Sequence, residues 1–481
     1  MANPTVSAPS VSRAGTGGRA PAGRLLGTVL TGQFMALLDV FIVNVAAPTI
    51  RTDLHASGAA LQLVVAGYTI SYAVLLITGA RIGDLWGHRR TFVAGLGLFT
   101  AASLACGLAQ SAGELTGFRL VQGAGSALMI PQVLSLIQRN FTGERRVRAL
   151  GVYSAVLATG AAAGQSLGGL LVSADLFGTG WRPVFLVNVP IGIALLVLAP
   201  RVIPRDPDGA AERRRGLDLP GLVTLGAAVT LFTVPLVLGQ EEGWPLWGWV
   251  CLGLGAVLLA VFAVLEARLT RRGGAPLVSA RVLRAPGMPR SVVVIAVAMA
   301  LNAGFLFSIA LHLQSGLGLS ALRTGLTFTA AAVAFGGVGL NWRRLPARTH
   351  GLLAPLGLLV AAVSFAAMGL LLRGGHQHEL SFLVVQFGIG LGLGASFSPT
   401  LTLALGRVAP QDAADASGLL ATVTQLGQLI GVATLGTLFL NRLASSGSSA
   451  HAIALTSWAL ALTAVLGALV GLLRGRAGRR G

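Results

Sequence analysis

Runs of about twenty apolar residues recur along the whole chain, separated by short polar segments rich in arginine. A run of that length suffices to cross the hydrocarbon core of a bilayer as an α-helix. Fourteen such runs are predicted: 25–48, 60–79, 91–110, 115–137, 149–172, 183–202, 218–239, 246–267, 291–313, 323–341, 351–372, 380–405, 416–440 and 452–473. The expectation is an all-α membrane protein with 14 transmembrane helices. The longest polar segments join helices six to seven and eight to nine. They frame a two-helix insert, 218–239 and 246–267, inside a linker region 203–290. On either side lie six runs each, an N-terminal half at 25–202 and a C-terminal half at 291–473. A polar tail, 1–24, precedes the first run and is expected to be disordered. It is followed by a long apolar run rather than a short one with a cleavage site, so it does not read as a signal peptide. Residues 474–481 form a basic tail.

Composition agrees with a membrane protein. The 481 residues are 54% hydrophobic and 11% charged, against about 25% charged in soluble domains. The formal charge is +19, and all 35 basic residues are arginine. Such a charge could indicate nucleic acid, but the arginines are spread between apolar runs and no nucleic-acid motif occurs. They serve better as a topology signal. With the N-terminus inside, inner segments hold 29 arginines and outer segments five, with Arg119 left inside a helix. This places both termini in the cytoplasm and the protein in the cytoplasmic membrane. Trp244, Trp247 and Trp249 cluster in an outer loop, where they would anchor a helix end at the interface. Cys106 and Cys251 lie in separate runs without metal-ligand spacing, so neither a metal site nor a disulfide is expected.

Polar residues inside the apolar runs carry the candidate chemistry. Asp39 lies deep in the first run, where a carboxylate costs about 2.5–3.5 kcal/mol. It should face a wet cavity, hold a proton or pair with a cation. Arg119 in the fourth run keeps its proton and lies at a similar depth, so the two could pair. Cycling between paired and protonated states would couple proton movement to a conformational change; a fixed polar clamp is the alternative. Between helices two and three the chain reads Gly79-Ala80-Arg81-Ile82-Gly83-Asp84-Leu85-Trp86-Gly87-His88-Arg89-Arg90. A tight turn is expected, in which Asp84 accepts backbone N–H bonds or pairs with an arginine and so latches one conformation; a basic loop that only sets topology is the alternative. Gly160, Gly164 and Gly168 fall on one face of helix five, with Gly169 beside them, and invite close approach of another backbone.

These segments resemble the motifs of the major facilitator superfamily, and within it those of the fourteen-span drug:proton antiporters. Asp84, Gly87, Arg89 and Arg90 match the signature loop Gly-x-x-x-Asp-Arg/Lys-x-Gly-x-Arg/Lys-Arg/Lys; Ala80 and Leu85 depart from it. The run Leu38-Asp39-Val40-Phe41-Ile42-Val43-Asn44-Val45-Ala46-Ala47-Pro48 is similar to the antiporters' first-helix motif. Arg119-Leu120-Val121-Gln122-Gly123-Ala124-Gly125 resembles their Arg-x-x-Gln-Gly-x-Gly pattern. Gly160 to Gly169 resembles Gly-x-x-x-Gly-Pro-x-x-Gly-Gly, with Gln165 in place of proline. Trp181-Arg182-Pro183-Val184-Phe185-Leu186-Val187-Asn188-Val189-Pro190 matches their lead-in to helix six. The resemblance implies a major facilitator fold of two six-helix halves plus a two-helix insert. It implies a secondary exporter that works by alternating access, with Asp39 and Arg119 in proton coupling and the loop and glycine motifs in gating.

No nucleotide-binding motif occurs and the chain has no lysine, so a proton gradient rather than a cofactor is the expected energy source. The expected partners are protons, membrane lipid and a small amphipathic compound such as an antibiotic or dye, with the protein acting as a monomer and binding no nucleic acid. Candidate substrate contacts are Tyr68, Tyr72, Gln122, Asn302, Phe305, His312, Gln386 and Gln425, polar or aromatic side chains able to line an otherwise apolar cavity. His312 is also a candidate second proton group. A dedicated exporter of one metabolite, siderophore or lipid shares every one of these features. A membrane-embedded enzyme is a more distant alternative, resting only on His376, His378 and Glu379 in one loop.

Overall fold

The structure is a computed structural model that describes residues 22–174, 178–205, 218–238, 245–272, 280–374, 379–408 and 412–472. The tails at 1–21 and 474–481, the acidic end of the tryptophan loop at 241–244, and His376 and His378 lie outside these residues. Every described element is helical. The long helices are α1 (Ala22–Asp53), α2 (Gly58–Trp86), α3 (His88–Leu108), α4 (Ala112–Asn140) and α5 (Gly143–Ala174). A short α6 (Pro183–Leu186) leads into α7 (Asn188–Val202). The insert holds α8 (Leu219–Leu238) and α9 (Leu246–Arg271), followed by a single turn, α10 (Ala280–Leu283). Then come α11 (Met288–Leu311), α12 (Ala321–Asn341), α13 (Leu353–Leu371), α14 (Glu379–Gly406), α15 (Ala413–Gly431), α16 (Thr437–Ser446) and α17 (Ser449–Leu472). Wider π-type turns follow α11 at His312–Gly316 and join α15 to α16 at Val432–Gly436.

Among the described residues, ten helices are long and apolar enough to cross a membrane. The count is eleven if Leu63–Leu76 and Thr78–Trp86, bent by 51°, form one span. This is fewer than the fourteen crossings expected from the sequence. The predicted positions not among them are helix five (α5), helix seven (α8) and helix thirteen (α15 with α16). All three are helical. α5 begins with Glu144, Arg145, Arg146 and Arg148 and continues through many glycines and alanines. α8 has 20 residues and α15 has 19.

Other boundaries shift for local reasons. α1 begins at Ala22, so the polar tail gives way to helix earlier than expected. The expected loop from Gly79 is mostly the last turns of α2, and the chain breaks only at Gly87. Gly87 has φ +95° and ψ 140°, a backbone conformation that a side chain would strain. It caps α2 and starts α3 at once.

The helices pack as two bundles. In the first, α4 lies between α2 and α3, and α1 packs on α5 and α7; in the second, α13 packs on α14 and α17, and α11 on α15. α8 and α9 pair with each other, and α8 leans on α2. The bundles meet through α5 against α12 and through α15 against α2 and α4. Lipid offers apolar side chains as good a solvent as another helix, so such contacts depend on close backbone approach. A Cβ on Gly151 of α5 would lie 2.5 Å from the Gly339 carbonyl of α12, and one on Gly336 would lie 2.9 Å from the Cβ of Ala155. One on Gly418 of α15 would lie 3.8 Å from Cβ of Ala80 on α2. These contacts cluster toward the helix ends near Gly87, Gly143 and Trp342. At the opposite end of the first bundle an apolar cluster including Ile42, Ile50, Val64, Leu115, Trp181 and Phe185 draws on that bundle alone. The two bundles are therefore clamped together at the Gly87 end.

The clamp predicts a crosslink. With Cys106 and Cys251 changed to serine, Ala155→Cys with Gly336→Cys should form a disulfide on mild oxidation. Its Cβ atoms need only move apart from 2.9 Å to the usual separation of about 3.5–4.5 Å. The oxidised protein should lose transport and regain it on reduction. Efficient oxidation with full transport would show that the bundles need not part at this end.

Candidate functional site

Asp39 and Arg119 meet in the interior of the first bundle. Asp39 stands in the middle of α1 and Arg119 in the second turn of α4; both are 0% exposed. Nη1 of Arg119 donates to Oδ2 of Asp39. The other carboxylate oxygen accepts the Gln122 amide at 2.8 Å and the Asn188 amide at 2.9 Å. Gln122 is three residues beyond Arg119, on the same face of α4. Its carbonyl oxygen accepts from Arg119 at 2.8 Å, and its amide also reaches the Ser103 hydroxyl of α3 at 2.8 Å. Nε of Arg119 donates to the Val64 carbonyl of α2 at 3.2 Å. The guanidinium lies 4.7 Å from the ring centre of Tyr68 and 5.7 Å from that of Phe185. Five helices and the α6 turn therefore converge on one ion pair.

Local sequence explains how the pieces arrive. The break at Val187 ends α6 and starts α7, which turns Asn188 into the bundle. Pro190 follows in the first turn of α7, where its missing N–H removes no helical bond. Near the end of α1, Asp53 accepts from the Trp181 indole and the Arg182 guanidinium, each at 2.9 Å. Those two contacts hold the Asp53 carboxyl below its usual range, the indole bond contributing most. They also fix the segment that delivers Phe185 and Asn188.

Two charges in a low-dielectric interior are tolerable only while they neutralise each other and their remaining hydrogen-bonding positions are filled. All the Asp39 contacts suit a carboxylate. Arg119, by contrast, has a buried Nη2 with no hydrogen-bond partner among the described residues. Adding a proton to Asp39 would cancel the counter-charge and leave Arg119 with carbonyls and aromatic faces. A buried cation in that state favours any rearrangement that brings water or another anion to it.

The other expected residues fall in separate places. Asp84 has Arg81 at 3.6 Å and His88 at 3.8 Å, on its own helix end and the next. Arg89 donates to the Pro200 carbonyl at the end of α7, which ties α3 to α7. Arg90 is exposed. The sequence reading missed Gln132, which sits at the heart of this turn. Its Oε1 is 2.7 Å from Nδ1 of the buried His88, and its amide donates to the Gly79 carbonyl at 2.8 Å. The glycine stripe of α5 faces α1: Cβ atoms on Gly160, Gly164 and Gly168 would press on Leu37, Leu38 with Phe41, and Ile42. Gly169, beside the stripe, is half-buried. α5 runs without a break through Gln165.

The proposed substrate contacts do not form one cluster. Gln122 belongs to the ion-pair network. Tyr68 is its floor, donating to Ser126 at 2.7 Å, and stacks on Tyr72 at 6.0 Å. In the second bundle Phe305 packs edge-on against Phe365 at 5.5 Å. Gln386 and Gln425 are buried and Asn302 is half-buried. His312 opens the π turn after α11, beside Gly316 and near the start of α17. No bond joins it to Asp39 among the described residues. Asn188 and Ser103 are the network members that sequence reasoning did not select. Asn188 had a signal, an amide inside an apolar run; Ser103 had none, because a serine in a helix ordinarily bonds its own backbone.

Comparison with known proteins places this geometry. A sequence profile described as the Major Facilitator Superfamily matches residues 29–432. The chain is 40% identical over 435 residues to the "Probable actinorhodin transporter" of Streptomyces coelicolor, covering 88% of this chain and 73% of that one. It is 36% identical over 428 residues to the cephamycin export protein CmcT of Amycolatopsis lactamdurans, covering 84% and 82%. Among solved structures, the proton:xylose symporter XylE shares its fold with a TM-score of 0.64 over 93% of this chain and 94% of that chain, at 13% identity.

Asn188→Ala tests how the network is held. Loss of a buried hydrogen bond to a charged group should destabilise the folded protein by about 1.5–3 kcal/mol, read as a lower unfolding midpoint in detergent. An unchanged midpoint would remove Asn188 from the anchors of Asp39.

Proposed function

The chain belongs to the Major Facilitator Superfamily, and from that premise we propose that it exports antibiotic-like small molecules by exchange for protons. It is a multi-pass membrane transporter, not an enzyme. The observation that carries the proton-driven reading is the buried Asp39–Arg119 pair, with Gln122 and Asn188 completing the carboxylate. Asp39 is fully buried and is matched by one cation that cannot lose its charge. Binding a proton to Asp39 frees Arg119; releasing it restores the pair. Each proton moving inward across about 150 mV releases roughly 3.5 kcal/mol, enough for a concentration ratio of several hundredfold.

The fuller reading has fourteen crossings, with α5, α8 and the α15–α16 segment completing the membrane set. An even number keeps both termini on one face, the cytoplasmic face of the inner membrane, in accord with the arginine-rich segments. Residues 25–202 and 291–473 act as two halves that rock about a site between them, and α8 with α9 rides on α2. The Asp84–Gly87–Arg89 turn, with Arg90 at its edge, and the α1-facing glycines Gly160, Gly164, Gly168 and Gly169 serve as latch and sliding surface. Tyr68, Tyr72, Asn302, Phe305, His312, Gln386 and Gln425 are the candidate contacts for a small amphipathic compound, and the protein works as a monomer in lipid without a cofactor. Export of a single compound is the second reading, because the relatives named above are each named for one compound.

Asp39→Asn separates proton coupling from binding. In proteoliposomes with an imposed pH gradient, a panel holding an aromatic polyketide, a cephamycin and ethidium should give uphill transport of at least one compound. The variant should lose uphill transport of that compound at least tenfold, while downhill exchange persists. Equal pH-driven pumping by both proteins would make Asp39 a structural acid. Uphill transport of one panel member alone would favour the single-compound reading.

A further inference from the structure

A second concentration of charge lies far from Asp39, in a cavity between three helix ends of the second bundle. The start of α11 contributes Gly287, Arg290 and Ser291. The segment before α13 contributes His350, the last turns of α14 contribute Thr400, and Arg407 follows just past its end. The cavity volume is about 80 Å³. A single water needs roughly 10–15 Å³ on the same kind of measure, so a group the size of a phosphate fits. None of the residues lining it is acidic.

The cations are poorly used by the protein itself. Nη2 of Arg290 reaches the Gly351 carbonyl at 3.4 Å, and Nη1 of Arg407 reaches the Pro286 carbonyl at 3.5 Å. Both are long for hydrogen bonds. The two guanidiniums are near enough for their charges to act on each other. Asp412, a nearby acid, faces Arg281 at 3.6 Å instead. His350 is held by a 3.0 Å contact from Nε2 to the Leu345 carbonyl and an edge-on contact with Trp342. With Nε2 so engaged, Nδ1 is the nitrogen left for a ligand. The 24-residue helix α11 begins here at a left-handed Gly287 with no side-chain cap. Met288 N–H is bonded to the Ala285 carbonyl and Pro289 has no N–H, so the Arg290 N–H and the positive end of the dipole are what the helix start adds to the field in the cavity.

Arginines that merely fix topology need only lie in the right loop. These two converge, with a histidine and a helix start, on one concavity at the end of the transmembrane helices. We propose that this cavity is a binding site for a phosphate group, carried by an anionic phospholipid headgroup or present as free phosphate. Basic pockets between helices at a membrane face suit such headgroups, and guanidinium forks match phosphate oxygens. An occupant there would join α11, α13 and α14, helices of the second bundle alone. The site is separate from the Asp39 network and does not depend on the reading of that network.

The test uses the full-length protein in neutral detergent, followed by thermal unfolding. Phosphatidylglycerol should raise the midpoint by a few degrees, and phosphatidylcholine should raise it less. Arg290→Gln with Arg407→Gln should abolish the difference between the lipids. Arg343→Gln with Arg344→Gln, which removes as much charge from the neighbouring surface, should keep it. An equal shift from inorganic phosphate, lost in the same double variant, would identify free phosphate as the source. An undiminished lipid difference in the Arg290→Gln, Arg407→Gln protein would overturn the site. Should that protein fail to fold, Ser291→Glu places a carboxylate in the cavity. It should raise the midpoint without added lipid and remove the further effect of phosphatidylglycerol. A full phosphatidylglycerol effect in Ser291→Glu would equally overturn the proposal.

Discussion

The first bundle is organised around a constraint that apolar packing cannot meet: Arg119 is fully buried and stays charged. Only one carboxylate, Asp39, is paired with it among the described residues. The rest of the site follows from keeping that pair satisfied. Gln122 contacts both members, Asn188 and Gln122 fill the second carboxylate oxygen, and Val64 gives up a carbonyl to the guanidinium. α1, α2, α4 and α7 thus share hydrogen bonds at a single point. In an apolar surrounding such bonds are stronger than in water, and their loss is correspondingly costly. An interaction of this kind holds the helices together while both groups are charged.

The bundles themselves are joined differently. Between α5 and α12 there is no comparable polar knot among the described residues; glycines and alanines let the backbones approach, with Ser154 and Leu340 beside them. Such a surface is well packed yet makes few directional bonds, so it can separate and re-form without stranding a polar group. The glycine stripe of α5 gives α1 a similar smooth contact. α1 carries Asp39, and α5 carries the contact with the second bundle. α5 thus touches both the helix that carries Asp39 and the second bundle, through α1 on one side and α12 on the other.

The turn at Gly87 combines both styles. Its glycine admits the backbone angle, while Gln132 reads out the arrangement by bonding to His88 and to the Gly79 carbonyl together. A Cβ on Gly83 would collide with the Gln132 side chain, so the small residues of the motif make room for a glutamine outside it. The charged residues that dominate the motif on paper sit at its rim, partly exposed. There they are worth less than the buried amide contacts beneath them.

Much of this was legible from the chain alone. Length and spacing of apolar runs set the helical class. The isolation of Asp39 and Arg119 inside such runs marked them as a candidate functional pair before any fold was known, because a charge at that depth must be paired, hydrated or neutralised. The glycine spacing on α5 announced a close contact. What the sequence left open was every partner distant along the chain: Asn188 is 149 residues from Asp39 and Gln132 is 44 from His88. Polar residues such as Ser103 are common in helices, and nothing local separates one that completes a network from one that bonds its own backbone. The convergence of Arg290, His350 and Arg407 on one cavity was equally invisible, since in the sequence each is one more arginine or histidine at a helix end. Local pattern determines which segments become helices and which of their residues cannot be left alone; only the packing of the bundles decides which side chains meet.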